Sequence, residues 1–129
     1  MAVPGGTDLD AMLASLAVER RPGVFTFIAV DVPTQGLIAA AHAVVTEGRL
    51  TTLVLPVEAA ERAGQPVAVR LAWLSLTVQS SLEAVGLTAA VSARLAAAGI
   101  ACNVLAGYHH DHVLVPVDRV DEATALLTA

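Results

Sequence analysis

Charge, aromatic rings and cysteine are all scarce in this chain, and each shortage removes a class of function. Only 15% of the 129 residues are charged, and the balance is acidic, with a net charge of −5. The aromatic residues are one Trp, one Tyr and two Phe. A nucleic-acid interface needs a basic face, commonly interleaved with stacking rings, so nucleic acid is excluded as a partner. The single cysteine, Cys102, excludes an intramolecular disulfide and a cysteine-rich zinc site. It lies in the apolar run Ile100–Leu105 and reads as a small core residue.

Long apolar runs are lacking too. Hydrophobic residues make up 56% of the chain and the mean hydropathy is +0.70. The surplus is mostly alanine and valine, and no stretch reaches the roughly 20 apolar residues that span a bilayer. The Ala-rich stretch 87–105 is broken by Ser92, Arg94 and Asn103. The N-terminus, MAVPGGTDLDAM, lacks the basic segment and apolar core of a secretory signal. The expectation is a cytoplasmic protein with no membrane partner. So much apolar surface in so short a chain also predicts a homo-oligomer.

Thr7 followed by Asp8 and Asp10 reads as a helix start, with Leu9, Met12, Leu13 and Leu16 as an apolar stripe and Pro22-Gly23 as its end. Val24–Val30 is β-branched and aromatic, a strand. A loop over 32–36 is followed by strands Ala40–Thr46 and Leu50–Leu55 around a turn at Glu47-Gly48. Val57–Ala63 is a short helix closed by Gly64. Val67–Gln79 reads as a long strand with Leu74, Leu76 and Val78 on one side and Trp73, Ser75 and Thr77 on the other. Leu87–Ala98 is a helix, Ile100–Ala106 and His112–Val117 are strands around a turn at 107–111, and Asp118 starts a last helix with Val120, Ala123 and Leu127 inward. Element order, α-β-β-β-α and then β-α-β-β-α, predicts an α+β fold of two lobes, 1–65 and 66–129, with antiparallel sheets and helices on one face. A β-α-β-β-α-β unit would need one more strand, which the first half or a second subunit would supply if it is present.

Two stretches carry candidate chemistry. The first joins a strand to a helix through Ser80, Ser81, Glu83, Gly86 and Leu87. Ser80-x-x-Glu83 has the form of a capping box. Free N–H groups at such a junction also suit a carboxylate ligand. The second is Gly107-Tyr108-His109-His110-Asp111-His112, which groups three of the four histidines around an aspartate. His110 and His112, two apart on a strand, would reach one metal ion together, whereas His109 and Asp111 would face away. A zinc site normally needs three or four ligands, so the alternative of a metal-binding protein or metal-dependent enzyme rests on this cluster alone. A polar hairpin turn after a glycine is the plainer reading. There is no Ser-His-Asp spacing, GxSxG, phosphate loop or HExxH, so no catalytic residue and no cofactor is expected.

The stretch SSLEAVGLTAAVSARLAAAGIACNVLAGYHHDHVLVP resembles the second lobe of the small bacterial tandem ACT-domain proteins. ACT lobes run from a strand through a Gly-Leu loop into a helix ending LAxAGI and a further strand. Gly86-Leu87 and Leu95–Ile100 occupy those places. CASTOR-type amino-acid sensors carry a similar segment with an aspartate before an LVP strand, matched by Asp111 and Leu114-Val115-Pro116. The resemblance covers residues 68–129 well and the first half more weakly, through Gly48 and Leu50–Pro56, where Arg49 is an insertion. It implies ferredoxin-like lobes that bind amino acids at an interface and regulate rather than catalyse. It also implies that Ser80, Ser81, Gly86 and Leu87 hold the ligand carboxylate, that Asn103 bonds its polar head, and that Asp111 pairs with its ammonium or a cationic side chain. A ligand-free dimerisation module is the remaining alternative. An enzyme regulated in trans would be a further partner.

Overall fold

The structure, a computed structural model, describes residues 11, 13–77 and 86–128. The chain divides into two units, Pro22–Ala72 and the chain up to Arg21 together with Trp73 onward.

The unit Pro22–Ala72 begins inside strand β1, Ala17–Val30. It continues through helix α1 (Gln35–Ala40), strand β2 (Ala43–Glu47), strand β3 (Leu50–Pro56) and helix α2 (Val57–Arg62). Its strands lie in the order β2-β3-β1. Both pairings are antiparallel, with Ile28 opposite Leu53 and Val44 also opposite Leu53. Directly opposed residues share a face. Ile28, Leu53 and Leu55 therefore form one apolar surface, and it closes over Leu37 of α1 and Ala59 and Ala60 of α2.

Two expectations for this unit need correction. The segment 32–36 is not all loop: Thr34 is an N-cap whose hydroxyl accepts from the Leu37 N–H at 3.2 Å, and α1 follows it. The strand expected from Ala40 accordingly starts at Ala43. Glu47 pairs directly with Leu50, so Gly48 and Arg49 form a two-residue hairpin loop. Gly48 takes a φ of +60° there, and Arg49 is absorbed as the second loop residue.

The other unit contains the start of β1, strand β4 (Leu71–Thr77) from Trp73 onward, helix α3 (Leu87–Ala97), and strands β5 (Asn103–Ala106) and β6 (Asp111–Pro116). A 3-10 turn, Val117–Arg119, then leads into helix α4, Val120–Thr128. The order is β1-β4-β6-β5, and β5 and β6 form an antiparallel hairpin. Leu87, Val91 and Leu95 of α3 are buried, as are Val120, Ala123 and Leu127 of α4. The two helices pack on each other, and α4 packs on β6. Arg119 donates to the Ala98 carbonyl at 3.0 Å, placing a cation at the C-terminal end of α3, where the helix dipole favours it.

Here too the sequence reading is corrected. Thr7–Asp10 lie outside the described residues, and helical structure at Ala11, Leu13 and Ala14 gives way to strand from Ala17. The strand runs on through Pro22 and Gly23, where Gly23 has a φ of +102°, so these residues lie within a strand rather than end a helix. Val18 and Arg21 are half-buried. Pairing with a neighbouring strand outweighs the local helical stripe. Strand β1 neighbours β4 in the strand order, and its start, up to Arg21, belongs to this unit. Strand β4 is shorter than expected: residues 67–70 are not strand, and residues 78–79 are outside the described residues.

Candidate functional site

Alternation along β4 places Trp73 and Ser75 on the same side. His112 of β6 reaches both. Its Nδ1 lies 2.8 Å from Ser75 Oγ, and its ring centroid is 5.4 Å from that of Trp73. From β1, the Arg21 guanidinium sits 4.1 Å over the Trp73 ring, a cation–π contact. Trp73 is 2% exposed, so three strands converge on one buried indole. Burial, first, then the charges of Arg21 and His110, push the His112 pKa below its ordinary value, while Asp111 opposes them. The imidazole is therefore held toward its neutral form, with Ser75 Oγ and Nδ1 sharing one proton-mediated contact.

The hairpin turn closes against the same ring. The Gly107 N–H donates to the His110 carbonyl at 2.9 Å. A Cβ at position 107 would stand 2.7 Å from that carbonyl oxygen and 3.0 Å from His112 Nε2, so only glycine fits without displacing backbone. Tyr108 at the tip is 88% exposed and meets His109 edge-on at 4.8 Å.

The residues expected to bind a ligand are placed as follows. Ser80 and Ser81 lie outside the described residues. Gly86 caps α3 in the left-handed region, with φ +97°; among the described residues no side chain caps this end, and the first turn holds no acidic residue. Its first-turn amides form the positive end of the helix dipole. Leu87 is buried, a packing residue that offers its backbone. Asn103 is exposed on β5, opposite Leu114, whereas Asp111 is half-buried and opposite Ala106. Leu105 is opposite His112. Alternation then puts Asn103 on the face of His112 and Asp111 on the other face of the hairpin, so one hairpin does not bring Asn103 and Asp111 together.

His110 and His112 are also separated in role, because the His112 ring is turned onto Ser75 and Trp73. Among the described residues no group of three or more His, Cys, Asp or Glu side chains is placed to hold a metal ion. Ser75 and His112 are at the distance of a nucleophile and its base. Asp111 lies on the opposite face, so the three do not assemble a Ser-His-Asp relay. The Ser75–His112 contact is the element that sequence reading missed. The pairing of Trp73 with Ser75 was legible from alternation, but nothing in the letters links positions 75 and 112.

The ACT-domain family profile matches residues 69–129. Residues 69–129 carry an ACT domain. The domain spans β4 through α4 and includes the Gly86-Leu87 junction, the β5–β6 hairpin and His112. A Vibrio cholerae protein of unknown function, described as a possible transport protein, is 37% identical, with 92% of each chain covered and a TM-score of 0.85. The two belong to one family. Aspartate kinase from Clostridium acetobutylicum is similar in fold at 10% identity, with a TM-score of 0.63 over 88% of this chain and 33% of that one. The ligand-free regulatory subunit of Thermus thermophilus aspartate kinase gives a TM-score of 0.56 at 11% identity, over 87% of this chain and 92% of that one. At these identities the aspartate kinase likenesses describe the fold alone. No curated protein matches the sequence. No helix among the described residues is long and apolar enough to cross a membrane.

Proposed function

We propose that this ACT-domain protein is a non-catalytic regulatory module that binds an amino acid at a lobe or subunit interface, in the cytoplasm. The observation that carries the reading is the ACT-family match over 69–129, which contains the positively polarised start of α3 at Gly86. In this reading the chain is built of two ACT-type lobes, 1–65 and 66–129. Ser80, Ser81 and the Gly86 and Leu87 amides receive the carboxylate. Amide donors at one end and a carboxylate at the other suit a zwitterion. Asn103 and Asp111 occupy opposite faces of one hairpin, so they serve different neighbours: Asn103 the polar head of a ligand on its own face, Asp111 a ligand cation approaching from the other. Bridging two bodies, the ligand shifts their equilibrium by its differential affinity for the two arrangements. An enzyme in trans, or the chain's own oligomer, reads that shift.

A thermal-shift screen of the twenty amino acids tests this, with zinc as a control. A ligand at about 100 times its Kd adds roughly 2.7 kcal/mol to the folded state, a visible rise in Tm. The expected result is a rise with one amino acid or one chemical group of them, abolished in Gly86→Val and reduced in Asn103→Ala or Asp111→Ala. A rise with zinc alone, lost when His110 and His112 are replaced, would replace this reading with metal binding. No rise with any amino acid would leave a dimerisation module.

A further inference from the structure

The contact of Ser75 Oγ with His112 Nδ1 at 2.8 Å has no part in the amino-acid site. Among the described residues it is the only hydrogen bond of the Ser75 hydroxyl. A neutral imidazole accepts at one ring nitrogen and donates at the other. The Ser75 O–H therefore donates to Nδ1, the one acceptor within its reach, and the ring carries its own proton on Nε2. Both residues are half-buried, so the pair is packed and still open to a small reagent. Beside it the buried Trp73 indole forms a floor, with the Arg21 guanidinium 4.1 Å over it. The charge of Arg21 reaches the His112 ring. A nucleophile, a base and a cation are thus gathered on one side of the sheet.

We propose that Ser75 is an acylation site, a nucleophile that His112 deprotonates and that takes the acyl group of a small, negatively charged activated donor of the acyl phosphate class. Ser75 Oγ attacks the acyl carbon as its proton passes to His112 Nδ1. The bond from Oγ to that carbon forms, the bond from the carbon to the leaving oxygen breaks, and the leaving group departs with the electron pair. The imidazolium then returns its proton to the leaving group or to water. Nothing is oxidised or reduced, and the donor is the only co-reactant. Arg21 selects the charge of the donor, because a cation beside the reacting pair attracts an anion and stabilises the charge that the leaving group gains. Asp111 lies on the other face of the hairpin, so no carboxylate backs the imidazole. The transfer is therefore one equivalent per chain, a modification rather than a turnover, and it goes beyond the amino-acid reading without resting on it.

The experiment treats the full chain with acetyl phosphate and, separately, with the uncharged donor p-nitrophenyl acetate, and reads intact mass and peptide maps. The chain contains no lysine, so the commonest competing nucleophile is missing. One acetyl group should appear on Ser75, while Ser92, half-buried on α3, stays unmodified. Ser75→Ala should abolish the adduct. His112→Gln should slow it roughly a hundred-fold with an unchanged circular dichroism spectrum. Should that variant fail to fold, the wild-type rate decides: it should rise with pH through a midpoint below 6.5 and then level, as His112 loses its proton. Arg21→Gln should slow the reaction with acetyl phosphate more than that with p-nitrophenyl acetate. No adduct, an adduct confined to the N-terminus, Cys102 or Tyr108, or a rate indifferent to His112 and to pH would overturn the proposal. An equal effect of Arg21→Gln on both donors would overturn the choice of a charged one.

Discussion

At the scale of the residue, the His112 side chain is constrained from several sides. Its ring is bounded by Ser75, Trp73 and the Gly107 backbone, and faces the charges of Arg21, His110 and Asp111. The folded pKa lies below the ordinary value of 6.5. Between the two values the unfolded chain therefore binds more protons, so this contribution to stability is present above pH 6.5 and is lost as the pH falls through the folded value. Melting curves should show Tm dropping on acidification below about pH 6.5, and His112→Gln should remove part of that drop. An identical pH profile in the variant would show that His112 does not carry it. None of this was legible at 107–112 in the sequence, where alternation sets His109 apart but leaves His110 and His112 equivalent. The strand register, not the composition of the cluster, turns one ring inward.

At the scale of the element, local chemistry explains most boundaries and burial decides the remainder. The helices at 57–62, 87–97 and 120–128 follow from apolar spacing with a glycine, or an acidic first turn, at the ends. Strand β4 follows from alternation. Helix α1 was overlooked because Gly36 and the nearby Pro33 read as loop letters, although Thr34 announces the cap. A six-residue helix has no independent stability. Its existence depends on that cap and on Leu37 entering the core beside Leu53 and Leu55. Thr34→Ala should cost about 1 kcal/mol in urea denaturation, with hydrogen exchange accelerated at 35–41 ahead of β3. Uniform acceleration over the whole unit would instead mean that α1 opens only with global unfolding.

At the scale of the whole molecule, the two units do not follow chain order. The unit containing the ACT domain takes Ala17–Arg21 from β1, and Arg21 covers Trp73. A fragment of residues 66–129 would lack that strand and uncover the indole. It should be poorly folded or aggregate when expressed alone, judged by amide dispersion in NMR spectra, and a peptide of residues 17–30 should improve it in trans. A fragment that folds unaided would show that the start of β1 is dispensable to the ACT domain.

The sequence alone determined the α+β class and the ACT resemblance over the second half. It did so because apolar period, turn letters and a run of short-range motif residues are all local signals. Tertiary structure alone decided that residues 17–21 form strand rather than helix, that Ser75 and His112 meet across 37 positions, and that Asn103 and Asp111 part to opposite faces. Each of these depends on which strand lies beside which and in what register, and a shift of one residue in register moves every side chain to the other face.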